Sequence, residues 1–421
     1  MTLDAGAGAP FADKTVAVLH AAWHSCGSYQ VNVGQLLAYK ALGARTISIA
    51  IMDALSPPAP SGPRWPGYLA ATGDLPADAR YFAAAPTSLL WTSLLLKDGW
   101  WPLIHGDQAR WLVALAERAE APAPLPAERI DLIHANHYFT LPFAKRLAPD
   151  APLIVETQDV QARQYMLRNQ GGFFIKPYAT YDDMLAVELD WTARADLCVH
   201  INAEEHAEFR RLLPDARHAL IYPSTPSAPL AEKAAEIVIV ASDNYANYVS
   251  LRWFLTEVLP RAQGVKVSIC GNIDAGVKAR DARLYERHLA LFRGRVADIG
   301  AVYARAAAIL LPTIEGHGLS IKAVEALSCG APLIATRLAF RGMGIDPGAL
   351  RNVSLCEDAE SFAAALRAAA AGLGSEPSAS AESDTRRLYE RVFSPQAYAR
   401  ALAQAAAPLI GRRSASAPEC S

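Results

Sequence analysis

Short apolar runs of strand length alternate along the first half of the chain with stretches whose apolar residues recur at the spacing of a helix. Val33 to Leu42 has that helical spacing and follows the first run. Strands that alternate with helices indicate a parallel, doubly wound sheet, because each parallel connection crosses over a face of the sheet. The predicted strands are Lys14 to Leu19, Thr46 to Met52, Leu132 to His134, Leu153 to Glu156, Leu197 to Ile201 and Ala219 to Tyr222.

A proline-rich stretch interrupts this pattern, which then begins again. Pro223 to Pro229 holds three prolines in seven residues, so we expect the interdomain linker there. Two Rossmann-like domains are predicted, 1–225 and 230–385, with ligands between the carboxyl ends of their strands. Residues 411–421 are predicted to form a disordered tail. The later predicted strands are Ile237 to Ala241, Val265 to Cys270, Ala308 to Leu311 and Pro332 to Ala335; the helices are Ser250 to Leu259, Ile321 to Cys329, Glu360 to Ala371 and Ser394 to Leu409.

Composition adds limits to this picture. The 421 residues exceed the roughly 250–300 that one hydrophobic core serves, which agrees with two domains. A net charge of −2 offers no positive field for nucleic acid. The N-terminal residues lack the pattern of an export signal, and apolar stretches such as Ser88 to Leu96 are shorter than the ~20 residues of a membrane span. Six scattered cysteines show no metal-binding spacing. We therefore expect a cytoplasmic protein without a metal site.

The segment Pro312 to Thr336, PTIEGHGLSIKAVEALSCGAPLIAT, carries the most chemical information. It turns through Gly316 and Gly318 between a strand and a helix, where glycines let backbone amides approach an anion and the helix dipole favours it. Lys322 and Glu325 stand three apart, on one face of the helix. The lysine suits a diphosphate and the glutamate suits two ribose hydroxyls. Alone, such residues are more often a tight turn and a solvated ion pair.

The longer string resembles the donor-binding signature of family 4 glycosyltransferases, the group 1 type. The upstream segments Asn244 to Leu255 (NYANYVSLRWFL) and Ala297 to Ala306 (ADIGAVYARA) also look like helices of these relatives. The resemblance covers most of the chain from Ile237 to Met343. The residues that match the signature are Gly316, Gly318, Leu319, Lys322, Glu325, Ala326, Gly330, Pro332, Ala335 and Thr336.

The resemblance implies a GT-B fold, with two Rossmann-like domains facing a central cleft. A last helix at about 390–410 would cross back to the N-terminal, acceptor-binding domain. It also implies sugar transfer with retention of configuration, from a nucleotide-sugar donor to a glycan or lipid-linked acceptor, without a metal or other cofactor. Gly316, Gly318, Leu319 and Lys322 would bind the donor diphosphate, and Glu325 its ribose.

Two departures from the family pattern concern the donor site. Relatives often carry two glutamates eight residues apart, but the residue eight before Glu325 is His317, and Glu315 stands ten before it. We expect both Glu315 and His317 to line the catalytic pocket. Relatives also carry an Arg and a Lys after the first strand of the donor domain, where this chain reads ASDNYANY. Lys322 then neutralises the phosphates with three candidate helpers, Arg252, Arg337 and Arg341.

The N-terminal half supplies three candidate residues. Gly27, in the loop His24 to Ser28 after the first strand, is expected near the donor phosphate, or serves only as a turn glycine. His137, on the loop side of a strand end, is expected against the transferred sugar, whereas His134 in the strand is more typical of a core histidine. Asp159 either orients an acceptor hydroxyl or caps the following helix, and Gln158 occupies the place of a family histidine.

Three tryptophans allow two interpretations. Trp91, Trp100 and Trp101 flank an apolar run with a lysine, which fits peripheral contact with a membrane near a lipid-linked acceptor, or the core of an irregular insertion.

The leading interpretation of the function is a retaining hexosyltransferase of polysaccharide or glycoconjugate biosynthesis. One alternative is a catalytically silent sugar-nucleotide-binding or scaffold protein, which the missing Arg/Lys pair favours. Another is a sugar-nucleotide epimerase of the same fold.

Overall fold

The computed structural model of the chain divides into two compact units. One unit contains Met1–Pro223 together with Tyr398–Ser421, and the other contains Ser224–Ala397. The sequence places the corresponding boundaries at 225 and 230 and the returning helix at about 390–410. The structure describes residues 9–23, 27–51, 66–85, 96–120, 129–170, 172–229, 236–373 and 383–414.

The first unit is built on a seven-stranded parallel sheet of order β3-β2-β1-β4-β5-β6-β7. Its strands are β1 (Thr15–Ala21), β2 (Arg45–Ile51), β3 (Ala79–Ala83), β4 (Leu132–Asn136), β5 (Leu153–Glu156), β6 (Leu197–His200) and β7 (His218–Leu220). Its helices are α1 (Gly27–Ala41), α2 (Pro66–Ala71), α3 (Trp101–Ile104), α4 (Gln108–Glu117), α5 (Leu141–Leu147), α6 (Gln161–Asn169), α7 (Tyr181–Thr192) and α8 (Ala203–Leu212). Because β1 and β4 are neighbours, the chain reverses its direction of winding between them.

Two apolar layers cover this sheet, one on each face. Ala17 and Leu19 of β1 belong to one layer, while Val16 and Val18 belong to the other. A strand that is buried on both faces needs a continuous apolar run rather than alternation, which is why β1 is so evident in the sequence.

The second unit repeats the architecture with a six-stranded parallel sheet of order β10-β9-β8-β11-β12-β13. Its strands are β8 (Ile237–Val240), β9 (Val267–Cys270), β10 (Phe292–Gly294), β11 (Ala308–Leu311), β12 (Leu333–Thr336) and β13 (Val353–Cys356). Its helices are α9 (Tyr245–Trp253), α10 (Ile273–Arg280), α11 (Ala282–Arg287), α12 (Ile299–Arg305), α13 (Ile321–Ser328), α14 (Ala359–Ala371) and α15 (Asp384–Val392). Here the winding reverses between β8 and β11.

The last helix, α16 (Pro395–Ser414), returns to the first unit. Its residues Tyr398, Leu402 and Leu409 are buried in the same apolar layer as Val16 and Val18 of β1. The prediction of a disordered tail is wrong for residues 411–414, because the helix continues to Ser414. Residues 415–421 lie outside the described part of the chain.

The predicted tryptophan cluster separates into different environments. Trp100 packs against Trp111, with 4.6 Å between the ring centroids, and so belongs to the core. Trp101 is 62% exposed, so the core interpretation is wrong for this residue. Trp91 lies outside the described residues. No helix in the described ranges is both long and apolar enough to cross a membrane.

Candidate functional site

The glycine-containing loop between β11 and α13 lies at the reversal point of the second sheet. Gly316 and Gly318 adopt φ values of 146° and 62°, which favour glycine. The Ile314 amide donates a hydrogen bond of 3.2 Å to Ser250 Oγ on α9. On the other side, the Thr336 hydroxyl donates to the Thr313 carbonyl. Two neighbouring elements therefore hold the loop at the edge where ligands bind in sheets of this type.

Lys322 and Glu325 lie together on the first turns of α13. Ser320 caps the helix, since its hydroxyl accepts from the Ala323 amide. Burial lowers the pKa of Lys322 to about 8, although the charge of Glu325 partly opposes this. Burial also raises the pKa of Glu325, against the influence of Lys322 and of the Tyr303 phenol beside it. This is a half-buried pair rather than the solvated pair of the alternative interpretation.

Tyr303 is a member of this site that the sequence prediction missed. It is fully buried on α12, and burial and the neighbouring Glu325 raise the pKa of its phenol well above the usual range. The signal was present, because Tyr303 lies in the segment ADIGAVYARA that resembles a family helix. The tyrosine is therefore neutral near pH 7, and its buried hydroxyl has no hydrogen-bond partner among the described residues.

Glu315 and His317 are exposed on the outer part of the loop. Their side chains are 4.0 Å apart, between Glu315 Oε1 and His317 Nε2, and about half of each side chain is open to solvent. The structure thus brings both predicted residues onto the loop that precedes Lys322, and neither is buried in the fold. Leu319, also predicted for the donor, is half-buried between them and α13.

The loop after β8 has an arginine that comes from a distant part of the chain. Arg280, at the end of α10, forms an ion pair of 2.7 Å with Asp243 and lies 5.6 Å from the ring centroid of Tyr248. It comes close to the segment where the family pattern has a cation, although ASDNYANY itself contains none. This pairing is not predictable from the sequence, since 37 residues separate the two partners.

The three candidate helper arginines have different environments. Arg252 is exposed on α9. Arg337 is 64% exposed in its side chain and lies 3.7 Å from Asp346. Arg341 instead donates hydrogen bonds of 3.2 Å to the carbonyls of His317 and Leu338. Only Arg341 of these three therefore contacts the glycine loop.

In the first unit, His137 follows β4 directly at the reversal point. It has an unusual φ of 64°, is 2% exposed, and stacks on Phe139 with 5.2 Å between the ring centroids. Within the described part of the chain neither ring nitrogen has a hydrogen-bond partner. Burial lowers the pKa of His137 to about 3, so the imidazole is neutral near pH 7. Trp23, at the end of β1, covers the ring edge-on at 5.1 Å.

A buried network of amides lies beneath His137. Gln35 and Asn136 exchange two hydrogen bonds, of 2.9 and 2.8 Å, and Gln158 donates to Asn136 Oδ1 at 2.8 Å. His134 is enclosed by this network, with its Nδ1 3.0 Å from the Tyr39 hydroxyl and its Nε2 3.4 Å from Glu156. His134 is therefore the core histidine that its place in the strand indicates. Gln158 is turned inward rather than toward a ligand.

Asp159 stands before α6 but does not cap it. The N-cap residue is Val160, and its side chain makes no capping hydrogen bond. The prediction that Asp159 caps this helix is therefore wrong. Instead the Glu188 carboxylate accepts from the amides of Gln161 and Ala162, at 3.0 and 2.9 Å. Burial raises the pKa of Glu188 to about 8, and the charge of Asp159 adds to this. The helix end is thus satisfied from α7, which leaves Asp159 half-buried beside it.

Gly27 is the first residue of α1, on the connection that leaves β1. It is exposed, and a Cβ added there would meet nothing within 4 Å. The protein itself therefore sets no steric requirement for glycine at this position. Residues 24–26 of the predicted loop lie outside the described residues.

Comparisons with known proteins found matches to the fold of the chain and to the sequence of its second unit. Residues 234–371, most of the second unit, match the family model described as "Glycosyl transferases group 1". The chain is also similar to the crystal structure of Anabaena HepE in complex with UDP, with a TM-score of 0.59 and 14% identity over 93% of this chain and 98% of that one. The fold is GT-B. This confirms the two Rossmann-like domains predicted from the sequence.

Two further structures support the assignment of GT-B. HepE from Anabaena in complex with UDP-glucose gives a TM-score of 0.57 at 13% identity, over 96% of this chain and 100% of that one. Sucrose-phosphate synthase from Thermosynechococcus elongatus gives 0.54 at 18% identity, also over 96% and 100%. The comparison with curated protein sequences found no match to the chain. The described residues contain no group of three or more His, Cys, Asp or Glu side chains placed to hold a metal ion.

Proposed function

We propose that the protein transfers a sugar from a nucleotide-sugar donor to an acceptor hydroxyl and that the second unit binds the donor. The observation that carries this proposal is the half-buried Lys322–Glu325 pair on α13. It follows a glycine loop at the reversal point of a parallel sheet, inside the residues that match the glycosyltransferase family. A partly desolvated ammonium gains more from an anion than an exposed one does, because water screens it less.

Each donor residue has a role in this proposal. The amides near Gly316, Gly318 and Leu319, the start of α13 and the charge of Lys322 hold the diphosphate. Glu325, with the Tyr303 hydroxyl beside it, accepts hydrogen bonds from ribose hydroxyls. Because the HepE structures contain UDP and UDP-glucose, UDP-sugars are the first donors to test.

The proposed reaction needs stabilisation of a leaving diphosphate. The acceptor oxygen forms a bond to the anomeric carbon, and the bond from that carbon to the phosphate oxygen breaks. Its electron pair stays on the diphosphate, and the acceptor hydroxyl passes its proton to the leaving diphosphate oxygen. Preorganised cations and amides lower the energy of the developing phosphate charge, so a metal ion is not required by this scheme.

The remaining candidate residues belong to the sugar and the acceptor. We assign Glu315 and His317 to the transferred sugar, because both lie exposed on the glycine loop. In the first unit, His137 is a neutral imidazole whose ring nitrogens have no hydrogen-bond partner among the described residues, which suits hydrogen bonds to a sugar. We assign Asp159 to the orientation of the acceptor hydroxyl and Gly27 to the donor phosphate. A retaining hexosyltransferase of polysaccharide or glycoconjugate biosynthesis is the activity that we infer.

A peripheral contact with membrane, near a lipid-linked acceptor, forms part of the proposal. Trp101 is 62% and Phe173 99% exposed, and the exposed Lys97 lines the same pocket as Trp101. Aromatic rings with lysines favour the interface of a bilayer. In co-sedimentation with anionic phospholipid vesicles, Trp101→Ser combined with Phe173→Ser should reduce binding severalfold, whereas Tyr245→Ser in the second unit should not. Equal binding by the wild type, the double variant and Tyr245→Ser would exclude this contact.

The test of the proposed function is sugar transfer or donor hydrolysis, measured with labelled UDP-, GDP-, ADP- and dTDP-sugars in EDTA. We expect one donor to be consumed by the wild type. Lys322→Ala and Glu325→Ala should lower kcat/KM at least about tenfold through lost charge-assisted hydrogen bonds. Consumption at unchanged rates by both variants would show that the site is elsewhere.

The second candidate is a silent sugar-nucleotide-binding protein. The ion pair of Arg280 with Asp243 favours it, since the arginine near the loop after β8 is already neutralised. Binding of one nucleotide-sugar without any turnover, in the presence of acceptor extracts, would support this candidate over the transferase.

A further inference from the structure

Arg341 joins the two loops at the carboxyl edge of the second sheet. It follows the short helical turn Arg337–Phe340 after β12, and its Nη1 donates to the Leu338 carbonyl of that turn. Its Nη2 donates to the His317 carbonyl in the glycine loop after β11. The guanidinium is therefore fixed in position by protein acceptors before any ligand arrives.

Gly316 has a steric reason to be glycine, and that reason is Arg341. A Cβ at position 316 would lie 2.8 Å from Nη2 and 3.0 Å from Cζ of the arginine. The φ of 146° adds a second reason, because side chains rarely adopt it. The backbone at Gly316 therefore lies close to the guanidinium, and a side chain at this position would displace one or the other.

Arg341 also places a second positive charge beside Lys322. Burial lowers the pKa of Lys322, and repulsion from the Arg341 charge adds to this effect. Glu325, the acidic neighbour of Lys322, is itself a partly buried carboxylate with a raised pKa. Two like charges held together in a half-buried place cost free energy in the empty protein, and a bound anion would relieve that cost.

We propose that Arg341 is the second cation of the donor diphosphate site, with Lys322 as the first, and that Gly316 is required so that the guanidinium can reach the phosphates. This inference rests on the proposed function and deepens it. A guanidinium offers several donors in a fixed plane, so it can hold a phosphate oxygen while it keeps its bond to the loop. Arg337, paired with Asp346, is not part of this site.

The test is calorimetric titration of the whole protein with UDP and, separately, with UMP. Arg341→Ala should weaken UDP binding about 10–100-fold and lower the preference for UDP over UMP, while Arg341→Lys should lose less. The matched control is Arg337→Ala, four residues earlier, which should bind UDP as the wild type does. Thermal unfolding of each variant checks that it is folded.

A double-mutant cycle tests the link between the arginine and the glycine. Gly316→Ala should weaken UDP binding in the wild-type background. The same change should cost at least about threefold less when Arg341 is already alanine, since the displaced partner is then gone. An equal loss in both backgrounds would overturn the link.

The outcomes separate this inference from the proposed function. If the wild type binds UDP, and Arg341→Ala binds it as tightly as Arg337→Ala does, the role of Arg341 is refuted while the donor site stands. If the wild type binds none of UDP, GDP, ADP and dTDP, the donor site and the role of Arg341 are refuted together.

Discussion

Lys322 is the residue whose charge most directly controls the proposed donor site. Burial among the first turns of α13 lowers the pKa of its ammonium to about 8, so it is protonated at neutral pH but close to titration. A bound diphosphate would stabilise the protonated form and raise this pKa. Donor affinity is therefore tied to the proton on one side chain.

We predict that the affinity for the nucleoside diphosphate decreases as the pH rises through about 8. The cation that attracts the phosphates is present below the pKa of Lys322 and is lost above it. Titrations between pH 7 and 9.5 measure this effect. Lys322→Arg keeps its charge throughout and should show a flat profile, so a wild-type profile as flat as that of the variant would contradict the assigned role.

The elements that carry the site are held by buried polar contacts as well as by apolar packing. Gln35 on α1, Asn136 at the end of β4 and Gln158 after β5 form one amide network, and all three are at most 3% exposed. The network fixes three connections at the reversal point of the first sheet. It therefore positions the segment that bears His137.

We predict that Gln35→Ala destabilises the protein by about 2–4 kcal/mol, because it removes buried volume and two of the hydrogen bonds of the buried Asn136 amide. Gln30→Ala changes the same residue type on the same helix at an exposed position, and should lie within about 0.5 kcal/mol of the wild type. Urea unfolding followed by circular dichroism compares the two. Equal losses would show that the network contributes no stability.

The sequence predicted central elements better than edge elements. Leu153–Glu156 and Ala308–Leu311 were predicted with the bounds that the structure has, because strands buried on both faces are continuous apolar runs. Strands β3, β10 and β13 were missed, and each is an edge strand with mostly half-exposed residues. In the site, the signature residues lie close together along the chain, whereas the pairing of Arg280 with Asp243 depends on the folded sheet.

At the scale of the whole molecule, the first unit is completed by the helix α16. Leu402 of α16 is fully buried in the apolar layer that also contains Val16 and Val18. The two units have separate cores and therefore could unfold in separate transitions. A substitution of a buried residue in the last helix should then change the stability of the first unit.

We predict that Leu402→Ala lowers the stability of the first unit by about 2–4 kcal/mol, the usual cost of a buried leucine. Gln404→Ala, an exposed change on the same helix, serves as the control. Calorimetric scans with and without nucleotide identify the second unit as the one whose transition the ligand shifts. A Leu402→Ala effect confined to that ligand-sensitive transition would be inconsistent with the described packing.

Thermal unfolding in EDTA with UDP, GDP, ADP, dTDP and their common sugars tests the central claim most directly. A ligand that binds only the folded protein raises the melting temperature by mass action. The account predicts that one nucleotide shifts the second unit's transition, that Lys322→Ala abolishes the shift, and that the exposed control Lys266→Ala at the opposite strand end keeps it. A shift that survives Lys322→Ala, or no shift with any nucleotide, would contradict a donor site on α13.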